Sequence, residues 1–258
     1  MAKDPFTHQI IGLAMKVHRD LGPGLNEEFY HQHLVGNLIQ GGIEHLSKPR
    51  RDLLYRGHVA DTFEADLVFP AKLIPELKAL RGNFDGEHFT QVLSYCKFWR
   101  IKTGMLFDFG KASLIQKRVA YASRMAEFPD VGMPSFVSNK DLATRLIGLA
   151  QQCIVDIGLG YRPTTWCGLM IAAMRDTKLP FDLNPQATVT KLGTANLPCI
   201  RVYDEAAIYI SALGDQVTAM DRSHLQTCLK WLNLPWGICF HFGKEAADLK
   251  FISNPERK

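Results

Sequence analysis

Several features that would point to a particular class of protein are missing from this chain of 258 residues. Its six cysteines form no Cys-x-x-Cys pair and lie mostly in apolar surroundings, which favours buried reduced thiols over disulfides or a zinc site. No apolar run approaches the length of a membrane span, and the first residues have no apolar signal core. We therefore expect a soluble, cytoplasmic protein with no membrane partner.

The chain also lacks a large excess of either positive or negative charge. The net charge is +4, the sequence pI is about 8.7, and the chain has no long run of Lys and Arg. This balance is compatible with a nucleic-acid partner but does not require one. With 47% hydrophobic residues, the chain is long enough for one large domain or two small ones.

The most informative stretch predicts two short apolar strands, Phe63–Phe69 and Leu73–Leu80, joined by a Pro-Ala-Lys turn. Because side chains alternate along a strand, Glu76 and Lys78 should point the same way. The hairpin should bring the carboxylate of Asp66 beside them. Two carboxylates and an amine could hold a hard divalent cation and activate a water, although the pattern alone also fits a solvated ion pair.

Two helices are predicted before these strands. Thr7 can cap the first helix, which runs to about Asp20 and is ended by a Leu-Gly-Pro-Gly-Leu segment. The second helix runs from about Asn26 to Gln40, with Phe29 and Ile39 among its inward side chains.

Other polar residues on the predicted helices are candidates for the same site. Glu27 lies in the first turn of the second helix and can face the same side as Tyr30, although a carboxylate there also complements the helix dipole. A third helix, from about Gly86 to Arg100, carries Gln91 and Tyr95 one turn apart.

Most histidines are interpreted as surface or core residues. His31 and His33 are two residues apart on a helix and cannot face one site. His18, just before the Gly-Pro-Gly turn, is kept as a candidate neighbour of the site.

Taken together, these residues resemble a known family. The segment Gly24-Leu-Asn-Glu27-Glu-Phe-Tyr30 matches the pattern that names the GxxExxY proteins, which belong to the PD-(D/E)XK nuclease-like superfamily. Asp66, Glu76-x-Lys78 and Gln91-x-x-x-Tyr95 follow in the required order, so the resemblance covers roughly residues 5 to 120. Pro75 departs from the family pattern, and it either distorts the metal site or marks a local strand edge.

The resemblance implies a phosphodiesterase that depends on Mg²⁺ or Mn²⁺. The implied metal ligands are Asp66, Glu76, the Leu77 carbonyl and Glu27, the last directly or through water. Lys78 would orient or deprotonate the attacking water and offset charge in the transition state. Gln91 and Tyr95 would position the nucleic-acid backbone or the acidic residues.

The second half of the chain repeats the first. Ile11-Gly-Leu-Ala14 recurs as Ile147-Gly-Leu-Ala150, an offset of 136, and Phe107–Lys111 recurs as Phe240–Lys244, an offset of 133. Two constant offsets argue for a tandem duplication.

Across that alignment every candidate catalytic position is changed. Pro163, Cys199, Tyr209, Ser211, His224 and Cys228 take the places of Glu27, Asp66, Glu76, Lys78, Gln91 and Tyr95, in that order. The second copy should therefore keep the fold without holding a metal, the alternative being simple drift at surface positions.

The sequence thus predicts two α/β domains of the restriction-endonuclease-like, PD-(D/E)XK type, each a mixed sheet flanked by helices. An intact copy at 1–125 is followed by a linker at 127–139 and a degenerate copy at 138–251. The expected function is a nuclease acting on DNA rather than RNA, by nicking or by cutting single strands. The degenerate copy would support the structure or grip the substrate, and a homodimer or protein partner would use it as a contact.

Two alternatives stay open at this point. The first is a non-catalytic nucleic-acid-binding or regulatory protein built on an inactive nuclease fold. The second is metal-dependent hydrolysis of a phosphodiester that is not a nucleic acid.

Overall fold

The computed structural model describes residues 4–121, 126–190 and 193–256. Its contacts divide the chain into two units: unit 1 consists of Met1–Leu53 and Thr62–Ala122, and unit 2 of Leu54–Asp61 and Ser123–Lys258. The sequence pattern does not predict that the short segment Leu54–Asp61 belongs to unit 2. Among the described residues, no helix is long and apolar enough to cross a membrane.

The three predicted helices are present between residues 4 and 121, together with seven strands. They are α1 (Pro5–Leu21), α2 (Glu27–Gln40), β1 (Leu46–Ser47), β2 (Arg50–Tyr55), β3 (His58–Glu64), β4 (Leu67–Val68), β5 (Ile74–Lys78), α3 (Gly86–Phe98), β6 (Thr103–Asp108) and β7 (Ile115–Ala120). The predicted strand Phe63–Phe69 is therefore interrupted at Asp66, and a single bridge between Phe69 and Leu73 closes the turn.

Helix α1 begins three residues earlier than a Thr7 cap would allow. The Asp4 carboxylate accepts the N–H groups of Phe6 and Thr7 at 3.3 and 3.1 Å. Pro5 at the first helical position has no N–H to satisfy, which suits it to that place. The predicted Thr7 cap is therefore wrong, because a better acceptor precedes it.

The buried face of α2 also differs from the predicted one. Phe29 and Ile39 are 54% and 67% exposed, whereas Tyr30, Leu34 and Leu38 are fully buried. The buried residues recur every four positions, as expected for one face of a helix. Placing Phe29 and Ile39 inward is therefore wrong by one position on the helix.

Strands β5, β6 and β7 form one sheet in that order, with β5 parallel to β6 and β6 antiparallel to β7. One face packs on α1 and α2 through Leu77 and Phe107. Helix α3 covers the other face, where Val92 lies so close to Gly104 that a Cβ would have no room. This packing holds Glu76 and Lys78 on the α3 face of an edge strand.

Pro75 lies on the free side of that edge strand. The Lys78 carbonyl accepts the N–H of Phe109 at 2.7 Å, so alternate residues of β5 direct their backbone groups toward β6. Pro75 and Leu77 direct theirs away from β6, and the missing N–H of Pro75 therefore removes no hydrogen bond between β5 and β6. Pro75 marks a local edge.

Lys97 near the end of α3 is a buried amine, only 6% exposed. Burial lowers its pKa to about 7. Between that value and the ordinary lysine pKa, the unfolded chain binds more protons at this residue than the folded protein does. This residue therefore makes the free energy of unfolding rise with pH from about 7 to about 10.

We expect Lys97→Met to be more stable than the parent protein near pH 6.5 and to lose that advantage by pH 10. The methionine is unbranched and only one heavy atom shorter than lysine, and it has no amine to protonate. Urea unfolding at several pH values measures the difference between the two proteins. A difference that stays constant with pH would contradict the assignment.

The remaining elements repeat the same order. They are α4 (Lys140–Ile157), α5 (Pro163–Asp176), β8 (Phe181–Asp182), β9 (Gln186–Thr190), β10 (Gly193–Asn196), β11 (Ile200–Val202), β12 (Ala206–Ala212), α6 (Ala219–Leu232), β13 (Trp236–Phe242) and β14 (Ala247–Ser253). The main sheet has the strand order β14-β13-β12-β11-β8. Ile208, which aligns with Pro75, pairs with Ile200 of β11 and extends this sheet.

The two halves agree in strand pairing as well as in order. Helix α5 begins and ends 136 residues after α2. Glu76 is opposite Leu106 in the parallel pair of unit 1, and Tyr209 is opposite Cys239 in that of unit 2, so both partners shift by 133. The antiparallel pairing of β6 with β7 recurs in β13 and β14 with the same shift.

The predicted linker is partly packed against unit 2. No helix or strand lies in its residues 127–139. The backbone N–H of Phe128 donates to Gln151 Oε1 at 3.0 Å, and its ring contacts Phe240 and Phe242. This end of the linker is therefore anchored in the core of unit 2.

Candidate active site

Strand β5 presents two polar side chains on the face covered by α3. Glu76 is only 2% exposed, and the Lys78 Nζ lies 2.7 Å from its Oε1. The alternation of side chains along the strand predicted this shared face. Glu76 is therefore a buried carboxylate whose nearest positive charge is on its own strand.

Asp66 reaches β5 from the interruption between β3 and β4. Its Oδ2 accepts the N–H of Leu77 at 2.7 Å, on the side of β5 that faces away from β6. Its own N–H lies 3.5 Å from Glu76 Oε2. The Leu77 carbonyl must point to the same side as the Leu77 N–H, so it faces the Asp66 carboxylate as well.

Helix α2 supplies a third carboxylate. Glu27 stands in its first turn, is half-buried, and has its Oε2 3.9 Å from Lys78 Nζ. Tyr30 does not join it: the Tyr30 hydroxyl donates to the Gly22 carbonyl at 2.8 Å and accepts the Leu25 N–H. Tyr30 thereby fixes the turn that leads into Glu27.

The charges in this cluster oppose one another. Burial, then the negative charge of Asp66, raises the pKa of Glu76 to about 8, although Lys78 counteracts both. Burial also raises the pKa of Glu27, with Lys78 opposing. Burial lowers the pKa of Lys78, but the neighbouring carboxylates outweigh burial and leave it above its usual value. Three acids thus surround one amine, which leaves the site short of positive charge.

Gln91 and Tyr95 act on the backbone that leads to Asp66. The amide of Gln91 donates to the Tyr95 hydroxyl at 2.9 Å, and that hydroxyl donates to the Glu64 carbonyl at 2.6 Å. These two residues, predicted to lie one turn apart on a helix, are therefore in direct contact. Through Glu64 they hold the end of β3, two residues before Asp66.

Comparison with known families bears on this arrangement of two acids and a lysine. Residues 4–119 match the family model described as the PD-(D/E)XK nuclease superfamily. The match assigns this region to that superfamily. It spans somewhat less than half of the chain, and no curated protein matches. A solved structure titled "Crystal structure of SSO0001" is similar at 12% identity, with a TM-score of 0.25. The match covers 45% of this chain and 78% of that chain.

The donor set of this PD-(D/E)XK domain fits a hard divalent cation. Carboxylate and carbonyl oxygens are the ligands that Mg²⁺ prefers, and Asp66, Glu76, Glu27 and the Leu77 carbonyl supply both kinds. In the described residues no three His, Cys, Asp or Glu side chains already surround a common metal position. The Glu76 carboxylate accepts a hydrogen bond from Lys78 Nζ, and the Asp66 carboxylate accepts one from the Leu77 N–H.

Three residues beside the PD-(D/E)XK cluster were not predicted. The Asp66 carbonyl lies 3.1 Å from His31 Nε2 and accepts the Lys48 N–H at 3.0 Å, and Ser47 Oγ is 3.3 Å from the same His31 nitrogen. The spacing of Glu27 and His31, four residues apart on one helix, was the available signal. In the sequence analysis His31 is compared only with His33, so its spacing from Glu27 is not used.

His18 is a core residue of the PD-(D/E)XK domain. Its Nε2 lies 2.8 Å from the Lys111 carbonyl, and its ring stacks on Phe109. It therefore braces the segment after β6, and these contacts do not link it to the carboxylates.

Some of the aligned positions of unit 2 also make contacts near one another, and none of them is an acid, although the Asp221 carboxylate lies 3.4 Å from Ser211 Oγ. Tyr209 Oη lies 3.0 Å from His224 Nδ1, and Ser211 Oγ lies 2.9 Å from His241 Nδ1. Cys199 and Cys228 lie in an apolar cluster. These hydroxyls, rings and thiols carry no negative charge that could hold Mg²⁺.

Proposed function

We propose that unit 1 is the catalytic half of a metal-dependent nuclease of the GxxExxY type, acting on DNA in preference to RNA. The observation that carries the proposal is the convergence of Asp66, Glu76 and Lys78 at one edge of the sheet in a PD-(D/E)XK domain. Glu27 completes the cluster from α2.

Asp66, Glu76, Glu27 and the Leu77 carbonyl would hold Mg²⁺ or Mn²⁺. When bound, such an ion lowers the pKa of a water and stabilises charge on phosphate oxygens. The burial of Glu76 excludes bulk water from one side of the cluster. The Leu77 N–H fixes the orientation of the Asp66 carboxylate through Oδ2.

Lys78 acts by charge in this proposal. In the metal-free protein the neighbouring carboxylates keep the pKa of Lys78 above its ordinary value, which favours the protonated amine over a general base. A protonated Nζ stabilises the negative charge that develops on the phosphate during hydrolysis. Of the two roles implied by the family resemblance, charge stabilisation is therefore the one that we propose.

We further propose that the second half, at about 138–251, is a degenerate tandem copy. The shared helix bounds and pairing registers support this origin. One chain then offers one set of catalytic residues, because Tyr209 and Ser211 take the places of an acid and the amine. Its role would be structural support or substrate grip.

A time course with supercoiled plasmid DNA and Mg²⁺ or Mn²⁺ tests the function and the single site together. Open circles should accumulate before any linear product, and single-stranded DNA and RNA run in parallel define the substrate. Mass measurement in solution establishes whether the active species is one chain. A proven monomer that makes linear DNA without an open-circle stage would contradict the single-site proposal.

A basic segment runs past Asp66 and provides a place for the nucleic-acid backbone. The Lys48 N–H donates to the Asp66 carbonyl, and Arg50 and Arg51 follow on β2 with exposed side chains. Arg50 is 3.8 Å from Glu64 in an exposed pair, which is weak enough to exchange for a phosphate.

We expect Arg50→Ala combined with Arg51→Ala to weaken DNA binding and to flatten its salt dependence. Each lost phosphate contact should reduce the slope of log affinity against log salt by about 0.9. The measurement uses a Glu76→Gln background to prevent cleavage. Lys102→Ala is the control and should leave the slope unchanged, because Lys102 precedes β6 and is four residues before Leu106, the residue opposite Glu76.

A non-catalytic binding protein is the second candidate. It is favoured by the hydrogen bond from Lys78 to Glu76, because this bond uses a carboxylate oxygen that a metal ion would need. The two candidates differ in uptake of Mn²⁺. A nuclease requires uptake that depends on Asp66 and Glu76, whereas a binding protein would retain its affinity for nucleic acid without it.

A further inference from the structure

His31 is a buried histidine beside the candidate site, and it is 5% exposed. Its Nε2 lies 3.1 Å from the Asp66 carbonyl oxygen and 3.3 Å from Ser47 Oγ. Because a carbonyl oxygen only accepts, Nε2 must carry the proton of the neutral ring. His31 also lies one turn after Glu27 on α2, so it joins the helix of one acid to the backbone of another.

The other ring nitrogen shows that His31 is not simply a packing residue. Nδ1 is buried and has no hydrogen-bond partner among the residues that the structure describes. A buried acceptor without a partner costs free energy that an aliphatic side chain would avoid. What the histidine provides, and an aliphatic side chain could not, is a donor to the Asp66 carbonyl.

We propose that His31 is a positioning residue that fixes the main chain of Asp66. Its Nε2–H and the Lys48 N–H both bind the Asp66 carbonyl, which holds the carboxylate in line with the Leu77 N–H. The consequence for metal binding rests on the proposed function. The effect on the Asp66 backbone does not.

Unit 2 shows that the donor is lost where the acid is lost. At the offset of 136, Cys167 takes the place of His31, and the position aligned with Asp66 is not an acid. In contrast, the buried Leu34 one turn away aligns with the buried Met170. The packing position of the helix keeps an apolar residue, whereas the position of His31 keeps no imidazole and has only the weak S–H donor of Cys167.

A matched pair of variants tests the proposal. His31→Gln keeps an N–H at the same number of bonds from Cβ as Nε2, whereas His31→Asn is one bond shorter and cannot reach the Asp66 carbonyl. In metal-free protein, hydrogen exchange of the Leu77 amide should accelerate about tenfold in His31→Asn and stay close to the parent rate in His31→Gln. The Phe109 amide, which donates to Lys78, is the control and should not change.

Titration with Mn²⁺ provides the second measurement. Affinity should fall about tenfold or more in His31→Asn and be rescued in His31→Gln. Equal Leu77 exchange in both variants would overturn the proposal, as would loss of protection in His31→Gln. If His31→Asn does not fold, His31→Leu replaces it with the same expected result. A parent protein that takes up no Mn²⁺ would reject the proposed function, while the exchange data would still decide the role of His31.

Discussion

Replacing Asp66 with Asn or Glu76 with Gln should abolish uptake of divalent cations and reduce cleavage by roughly a thousandfold or more. Both substitutions keep the size of the side chain and remove only its charge. Both acids lie beside β5: the Asp66 carboxylate accepts the Leu77 N–H at 2.7 Å, and the Asp66 backbone nitrogen lies 3.5 Å from Glu76 Oε2. Neither acid can be replaced by the other, because each contacts a different backbone or side-chain group.

Two controls separate loss of binding from loss of rate. Lys78→Met should retain much of the Mn²⁺ uptake and lose cleavage, because Nζ acts on charge in the transition state and is not a ligand. Tyr209→Phe, at the position of unit 2 that aligns with Glu76, should leave both properties unchanged. Full activity in Glu76→Gln would refute the proposed site.

Arg162→Met should lower the free energy of unfolding of unit 2 by about 3 kcal/mol. Two guanidinium nitrogens of Arg162 bind the carboxylate of Asp61 at 2.8 and 3.1 Å, and the Thr165 hydroxyl binds the same carboxylate. Asp61 is 12% exposed, so removing the guanidinium leaves a largely buried charge with reduced compensation. Urea unfolding at neutral pH measures the change.

The matched control is Arg201→Met. Arg201 pairs with Asp182 at 3.3 Å, but the two side chains are 37% and 40% exposed. Pairs with that exposure contribute at most about 1 kcal/mol. Equal losses from the two substitutions would show that the Asp61 carboxylate does not depend on Arg162.

The sequence predicts which site residues share a face better than it predicts the residues that surround the site. The period of two along a strand was enough to place Glu76 and Lys78 on one face, and helical spacing was enough to place Gln91 and Tyr95 one turn apart. Such periodicities are properties of the backbone and need no knowledge of tertiary contacts. They could not assign a role to His31, because its partner is a carbonyl oxygen and every residue has one.

The errors arose where tertiary packing decides between similar local choices. Phe29 and Tyr30 are adjacent aromatic residues, and Tyr30 is the buried one because its ring stacks on Phe109 and its hydroxyl bonds to the Gly22–Leu25 turn. The membership of Leu54–Asp61 in unit 2 depends on long-range pairs such as Asp61 with Arg162. No periodicity in the sequence reports such pairs.

On the proposed duplication, the pairing registers common to both halves create a hazard during refolding. Strand β5 could meet β13, and β12 could meet β6, because each parallel pair has the same alignment and both copies are on one chain. In such a crossed sheet Glu76 would lie opposite Cys239 instead of Leu106. We expect the sequence differences between the two halves to make each half a poorer pairing partner for the strands of the other, and so to reduce this kind of misfolding.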